Sequence, residues 1–225
     1  MQSTIKTHSL VVEADWIQFL DQFDLSSSHP ILLGIIASLK AAGVQGCISA
    51  DSYVDRDCSA SYSEFDAKLF KPYRKYCKRL HFFCDDLSDL NDLSEPTEIS
   101  AAVEAKNEGY AGFVTLRPLE HEPSSVAVLS QSKLNNTTNK EIGVYSRYDV
   151  HVLGARLSVQ GTPLTQQDTR IGACAQAAIW MAGRHFHNKH RAPWFSTPDI
   201  TEKALKPTDS FISRSLPAGS DYLLP

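Results

Sequence analysis

The sequence predicts an α/β (α+β) protein in which helices pack against a sheet. Two observations lead to this prediction. Three segments that carry apolar residues at helical spacing are each followed by a compact apolar run suited to a strand. With 225 residues, 42% of them hydrophobic and 21% charged, the chain is also long enough to bury a substantial core.

The first helix–strand unit begins with two helices. Residues 13–23, EADWIQFLDQF, have helical spacing, and the cap and breaker residues SSSHP follow them. Residues 30–43, PILLGIIASLKAAG, predict a second helix that ends at Gly43, and residues 44–50, VQGCISA, predict a short strand. The start of the chain before these helices is polar, and we predict no element there.

Two further helix–strand pairs come next. Residues 62–79 have helical spacing on either side of a proline and lead into residues 80–86, LHFFCDD, which predict a strand. Residues 98–109 predict a helix that ends in glycine, and residues 110–119 predict the strand after it. Residues 124–130, SSVAVLS, predict an additional edge strand.

The segment from Ser130 to Glu141 is polar and lacks apolar periodicity, so it predicts an exposed loop. We place the domain boundary there. The prediction is an N-terminal α/β domain of unknown role at residues 1–143 and a second domain at residues 144–225.

The second domain begins with a predicted hairpin and continues into a long helix. Residues 146–163 predict two strands joined around Gly154 and Ala155, and residues 172–190, GACAQAAIWMAGRHFHNKH, predict the helix. The proline-containing tail beyond the helix is predicted to be mostly irregular. The predicted apolar surface of the helix includes Ala177, Ala178, Met181 and Phe186.

Composition argues against several function classes. The formal net charge of -4 gives no overall attraction to nucleic acid or to an anionic membrane, so neither is an expected partner. The longest apolar run, Ile31 to Leu39, is far shorter than the roughly 20 residues of a membrane span. The N-terminus lacks the pattern of a secretory signal, and we therefore expect a cytoplasmic protein.

The metal-ligating residue types form no recognisable site. Five cysteines without a CxxC pair argue against a disulfide framework and against structural zinc, so we expect reduced thiols and no metal or cofactor. The histidines of RHFHNKH, residues 184–190, are interpreted as part of a basic helix end that complements the helix dipole. Asp55 and Asp57 are predicted to lie on the surface.

One cysteine, Cys174, is predicted to lie in the first turn of a helix, and it is the only cysteine for which we predict this position. The positive end of a helix stabilises a thiolate, which is the nucleophilic form of the side chain. Its small neighbours, such as Ala173 and Ala175, leave room for a substrate. A donor to an oxyanion could come from the side chain of Gln166 or Gln167, with the backbone N–H of Cys174 as the second donor.

This segment resembles the papain-like cysteine peptidase superfamily, including its compact bacterial, bacteriocin-processing-like branches. The resemblance covers about residues 161–200. It implies that Cys174 is the nucleophile, that Gln167 or Gln166 is the oxyanion glutamine, and that the following helix is the spine of the first lobe of the fold. The second domain, residues 144–225, would then be a partial papain-like domain, the front part of that fold. It also implies a peptide or protein substrate. Ala175 departs from the best-known members, which have an aromatic residue after the nucleophile.

The family's second catalytic residue, a histidine base, lacks a clear counterpart here. The three histidines after Cys174 lie on or near its own helix, separated from it by about 15 Å or more of helical rise. Three explanations stay open: a partner chain or a missing C-terminal segment supplies the base, an upstream histidine such as His151 or His81 supplies it, or the protein is not catalytic. The ending AGSDYLLP favours the missing segment.

The predicted function is therefore that of a cysteine-dependent hydrolase, most simply a thiol protease that acts through a Cys174 acyl-enzyme. The alternative is a non-catalytic binding or regulatory protein that keeps the same helix as a structural element.

Overall fold

The computed structural model describes residues 5–23, 25, 30–64, 67, 74–117, 124–138, 144–166 and 174–205. These residues form a mixed α/β structure, as predicted, with antiparallel strands. The strands are β1 (Ile5–Ser9), β2 (Gly46–Tyr53), β3 (Cys77–Phe83), β4 (Tyr110–Leu116), β5 (Ser124–Leu129), β6 (Ser146–Val152), β7 (Ala155–Gly161) and β8 (Pro163–Leu164).

Seven helices accompany these strands in the described parts of the chain. They are α1 (Glu13–Gln22), α2 (Pro30–Ala41), α3 (Arg56–Glu64), α4 (Pro96–Ala105), α5 (Gln131–Thr138), α6 (Cys174–His190) and α7 (Thr197–Leu205), with 3₁₀ turns at Ser88–Asp92 and Asn107–Gly109.

The main sheet has six strands in the order β1-β2-β3-β4-β5-β8, and every neighbouring pair is antiparallel. Strands β6 and β7 form a separate two-stranded sheet. Because side chains alternate across a strand, neighbouring residues such as Phe82 and Phe83 contribute to opposite faces of the main sheet.

The helices α1 and α2 cover one face of the main sheet. Their apolar side chains meet those of the central strands in a single core cluster. From α2, this cluster takes Leu32, Ile35, Ile36 and Leu39, whose spacing is that of one helix face. The sequence predicted both helices correctly because their apolar residues have this spacing.

The other face of the main sheet is covered by the β6–β7 hairpin together with α4, α6 and α7. Residues from both sides of the predicted boundary at residue 143 contribute to this second core, for example Phe113 from β4 and Leu157 from β7. Moreover, β8 pairs with β5 in the main sheet. The predicted division into residues 1–143 and 144–225 therefore does not separate two hydrophobic cores.

The hairpin itself is present as predicted. Strands β6 and β7 are joined by the two residues Leu153 and Gly154, which have φ values of 53° and 87°. A two-residue turn with positive φ at both positions matches the right-handed twist of the flanking strands. This conformation suits Gly154 and places a small strain on Leu153.

Several elements differ from the prediction. The range 62–79, predicted to be helical, contains the end of α3 at Glu64 and the start of β3 at Cys77. The segment predicted as an exposed loop contains α5, which packs against α2 and β7. The strand β5, predicted to lie at the edge of the sheet, instead lies between β4 and β8. The polar start of the chain contains the edge strand β1, which pairs with β2. Its side chain His8 packs against the α1 rings Phe19 and Phe23. Tertiary contacts supply the apolar surroundings that these polar segments lack in sequence.

The tail after α6, predicted to be irregular, begins with helix α7. Ser196 precedes the helix, and its hydroxyl and backbone N–H both donate to the Asp199 carboxylate, at 2.6 and 2.7 Å. The backbone N–H of Asp199 donates back to the Ser196 hydroxyl at 3.3 Å. This is a capping box, and the letters STPD, residues 196–199, were the signal that could have predicted it.

Candidate functional site

Cys174 is the first residue of α6, a helix of 17 residues. The first turn of this helix contains no acidic residue, so no carboxylate within that turn opposes the positive end of the helix dipole. The side chain of Cys174 and the whole of Gln167 lie outside the described residues. The backbone placement thus agrees with the predicted helix start.

Gln166, the other predicted oxyanion glutamine, is buried beside the ends of β4 and β5. Its side-chain Oε1 accepts a hydrogen bond from the backbone N–H of Ser124 at 3.3 Å. Arg117 Nη2 donates to the backbone oxygens of Ser124 and Gln166, at 3.4 and 3.5 Å. These bonds anchor Gln166 against the main sheet and orient its side-chain amide.

The two upstream histidines considered as bases lie in different surroundings. His151 is an exposed residue of β6, directly opposite Arg156 in the hairpin. His81 is buried on β3 and shares a 2.8 Å hydrogen bond with the Tyr110 hydroxyl. Burial, together with the charge of Arg79, lowers the pKa of His81 to about 3, so this imidazole is neutral near pH 7.

The histidines at the C-terminal end of α6 interact locally. His187 shares a 2.6 Å hydrogen bond with the backbone oxygen of Ala192. The rings of His185 and His190 contact each other and Phe186. No group of three or more histidine, cysteine, aspartate or glutamate side chains that could hold a metal ion occurs among the described residues.

The buried face of α6 is built from Gln176, Trp180 and Arg184, spaced four residues apart. The predicted apolar surface is therefore wrong in part, because Phe186 is 53% exposed. Two of these three side chains, Gln176 and Arg184, are polar. Arg184 can be buried because it has a partner on another helix. Hydrophobic periodicity alone cannot reveal such a partner.

That partner is Asp57 in α3. Its Oδ1 accepts hydrogen bonds from Trp180 Nε1, at 2.9 Å, and from Arg184 Nη2. Burial raises the pKa of the Asp57 carboxyl, while Arg184 and Trp180 act in the opposite direction. The prediction that Asp57 lies on the surface is thus wrong, and the residue instead fastens α6 to α3.

Trp194 extends this connection toward the surface. The guanidinium groups of Arg56 and Arg184 lie 3.6 and 4.5 Å from the centre of the Trp194 ring. The neighbouring Phe195 ring packs directly on the backbone of Gly183, where any side chain would collide with it. The middle of α6 is therefore held closely against the segment that follows it.

Asp55, also predicted to lie on the surface, is buried and begins α3. Its Oδ1 accepts from the backbone N–H groups of Asp57 and Cys58, both at 3.0 Å, which is the geometry of a helix N-cap. Its Oδ2 accepts from Arg79 Nη2 at 3.3 Å, and Arg79 also donates to Thr115 Oγ1 at 3.0 Å. This network ties α3 to the main sheet.

The structure adds a second cysteine in the first turn of a helix, contrary to our prediction. Cys58 has this position because α3 begins at Arg56, six residues before the predicted helix. The contact with Cys77, burial and the charge of Asp55 nevertheless raise the pKa of its thiol. A first-turn position is therefore not sufficient to activate a cysteine, and the surroundings decide.

The other described cysteines are free thiols in protected places. Cys47 and Cys77 are buried and Cys84 is partly buried. Burial raises the pKa of Cys47 and of Cys84. These thiols are suitable internal standards for the reactivity of Cys174.

Comparison with known proteins finds no matching family model, no matching curated protein and no matching solved structure. The papain-like resemblance therefore stays a prediction. Within the described residues, none of the helices combines the length and the apolar character needed to cross a lipid bilayer.

Proposed function

We propose that this protein is a cysteine-dependent hydrolase, most simply a peptidase, with Cys174 as its nucleophile. The observation that supports the proposal is the position of Cys174 as the first residue of α6, without an acidic residue in the first turn. The helix dipole stabilises a thiolate there by a few tenths of a kcal/mol up to about 2 kcal/mol.

In the proposed reaction, the Cys174 thiolate attacks a carbonyl carbon and forms a tetrahedral intermediate. The backbone N–H of Cys174 and the amide of Gln166 or Gln167 hold the oxyanion. The leaving group departs with a proton from a general acid, and water then hydrolyses the acyl-enzyme. The fixed carbonyl oxygen of Gln166 favours this role, because it leaves the amide nitrogen as the donor.

The general base is the part of the proposal that the chain supplies least clearly. The described histidines other than His151 are placed in local hydrogen bonds or ring contacts. We therefore propose that a partner chain, or a further segment of a longer protein, contributes the base, with His151 as the candidate within this chain. A cytoplasmic, reducing location forms part of the proposal and suits four free thiols.

The alternative function is that of a non-catalytic binding or regulatory protein. The observation that favours it is the attachment of α6 to α3 through Asp57, Trp180 and Arg184, which makes α6 a packing element in its own right. In that case the position of Cys174 at the helix start would have no chemical purpose.

Alkylation by iodoacetamide distinguishes these functions. The full chain would be treated between pH 5 and 9, and the labelling rate of each cysteine measured by peptide mass spectrometry. We expect fast labelling of Cys174 at pH 6, well below the ordinary thiol pKa of about 8.5. Cys58 is the matched control, since it also lies in the first turn of a helix. Labelling of Cys174 that rises only above pH 8 would reject the hydrolase proposal.

Histidine substitutions then search for the base. Each of the eight histidines is replaced by alanine in turn, and the pH dependence of Cys174 alkylation is measured again. A base in this chain would shift the apparent pKa of the thiol upward when it is removed. If none of the eight variants shifts it while labelling at pH 6 stays fast, the base comes from another chain.

A further inference from the structure

The first turn of α6 contains a second polar side chain, Gln176, which belongs to the buried face of the helix. Its side chain is deeply buried, with the residue only 2% exposed. Its amide nitrogen, Nε2, has no hydrogen-bond partner among the described residues. A buried amide without a partner costs roughly 1–3 kcal/mol, so such a group calls for a ligand or another functional explanation.

The position of Gln176 determines where this donor points. Gln176 is the third residue of α6, and long side chains on a helix lean toward its N-terminus. From this general preference we expect the Gln176 amide to lie toward the start of the helix. The backbone N–H groups of the first turn also lack partners within the helix, and the first turn itself contains no acidic residue.

Four other buried side-chain atoms of the described residues have no partner. Two of them, Ser124 Oγ and His185 Nδ1, lie at the start of β5 and in the C-terminal half of α6, away from the start of this helix. The other two belong to arginines. Arg117 and Arg184 each lack a partner at one nitrogen but donate through another nitrogen of the same guanidinium group. Gln176 differs because its unpaired donor coincides with the positive end of a 17-residue helix.

We propose that the first turn of α6 binds an anionic oxygen through Gln176 Nε2 and the backbone N–H groups at the helix start. The ligand oxygen belongs to the substrate of Cys174, as a carboxylate or as the oxyanion that forms during attack. This identification of the ligand rests on the proposed function. Gln176 is then an oxyanion donor that the sequence pattern, which pointed to Gln166 and Gln167, did not indicate.

Two reagents that differ only in charge test this site on the full chain. Iodoacetate carries a carboxylate, whereas iodoacetamide of nearly the same size does not. We expect the rate of alkylation of Cys174 by iodoacetate, divided by the rate with iodoacetamide, to fall roughly tenfold in Q176M. The reason is that one hydrogen bond to a charged group is lost. Methionine keeps the length and apolar stem of glutamine and favours helices.

The matched control is Q160M, which changes an exposed glutamine of β7. It should keep the wild-type ratio. Q176E is the second variant at the site; it keeps the shape of the side chain, replaces the donor by an acceptor, and should lower the ratio at least as far. A wild-type ratio in a folded Q176M or Q176E would overturn the inference.

A second measurement separates this inference from the proposed function. Inorganic phosphate, compared with chloride at equal ionic strength, should raise the melting temperature of the C174A variant by occupying the anion site. It should not do so for the double variant C174A/Q176M. Slow alkylation of Cys174 at pH 6 with an intact phosphate effect would reject the hydrolase alone. A phosphate effect that is absent from C174A, or that persists in the double variant, would reject the anion site.

Discussion

The two faces of the main sheet are covered by different means. On one face, α1 and α2 contribute apolar side chains to a continuous core. On the other face, apolar residues share the space with buried polar side chains, among them Arg79 and Arg184. Their carboxylate partners are the N-cap of α3, Asp55, and a residue of its first turn, Asp57. The comparison teaches that an apolar face can be predicted from the spacing of one helix, whereas a face with ion pairs depends on residues far apart in sequence.

The largest effect is expected from Phe82→Ala on the face covered by α1 and α2. Phe82 is fully buried in that core, so the removal of its ring leaves a cavity among apolar side chains. We expect a loss of about 4 kcal/mol in the free energy of unfolding, measured by urea denaturation with circular dichroism. The control Val11→Ala removes an exposed apolar residue and should change stability by less than about 0.5 kcal/mol. A loss near 1 kcal/mol would mean that this core is loosely packed.

A smaller but more informative effect is expected from Asp57→Leu on the other face. Removing Asp57 leaves the buried guanidinium of Arg184 without its carboxylate, and we expect a loss of about 3 kcal/mol. The double variant Asp57→Leu with Arg184→Met should recover most of the lost stability, because it removes both charges of the pair. Burial raises the pKa of the Asp57 carboxyl, so the ionised pair is itself costly to bury. If the loss in the double variant equals the sum of the losses in the two single variants, Asp57 and Arg184 are not energetically coupled, and the prediction is wrong.

The smallest effect concerns the pH dependence of stability. His81 has a pKa of about 3 in the fold against about 6.5 when unfolded, so below pH 6.5 the unfolded chain binds a proton that the folded chain does not. Stability therefore falls as the pH falls, by about 1 kcal/mol between pH 6.5 and 5.5 from this group. His81→Gln keeps a polar group for the Tyr110 hydroxyl and should remove this contribution, whereas Val11→Ala should keep it. Urea denaturation at the two pH values measures this loss of stability. The prediction is contradicted if His81→Gln loses as much stability between the two pH values as the unchanged protein does.

Much of the fold could be predicted from local sequence patterns. The apolar spacing of α2 and the left-handed Gly154 in the hairpin turn are properties of short segments, and both were recognised. The strand β1 and the helix α5 were missed because their sequences are polar and their apolar contacts come from distant residues. The helix α7 was missed although its capping box is visible in the sequence.

The candidate site shows the same division. The helix start at Cys174 could be predicted from the small residues and the following apolar pattern. The burial of Asp57 and the unpaired amide of Gln176 could not, since each depends on the surface against which its helix packs.

The sequence alone determined that this is an α/β protein with a cysteine at the start of a long helix, because hydrophobic periodicity and turn residues act over a few neighbouring positions. Only the tertiary structure decided that one sheet organises both predicted domains and that α6 is bound to α3 through Asp57. Ion pairing and burial depend on which distant segments meet, and no local pattern encodes that meeting.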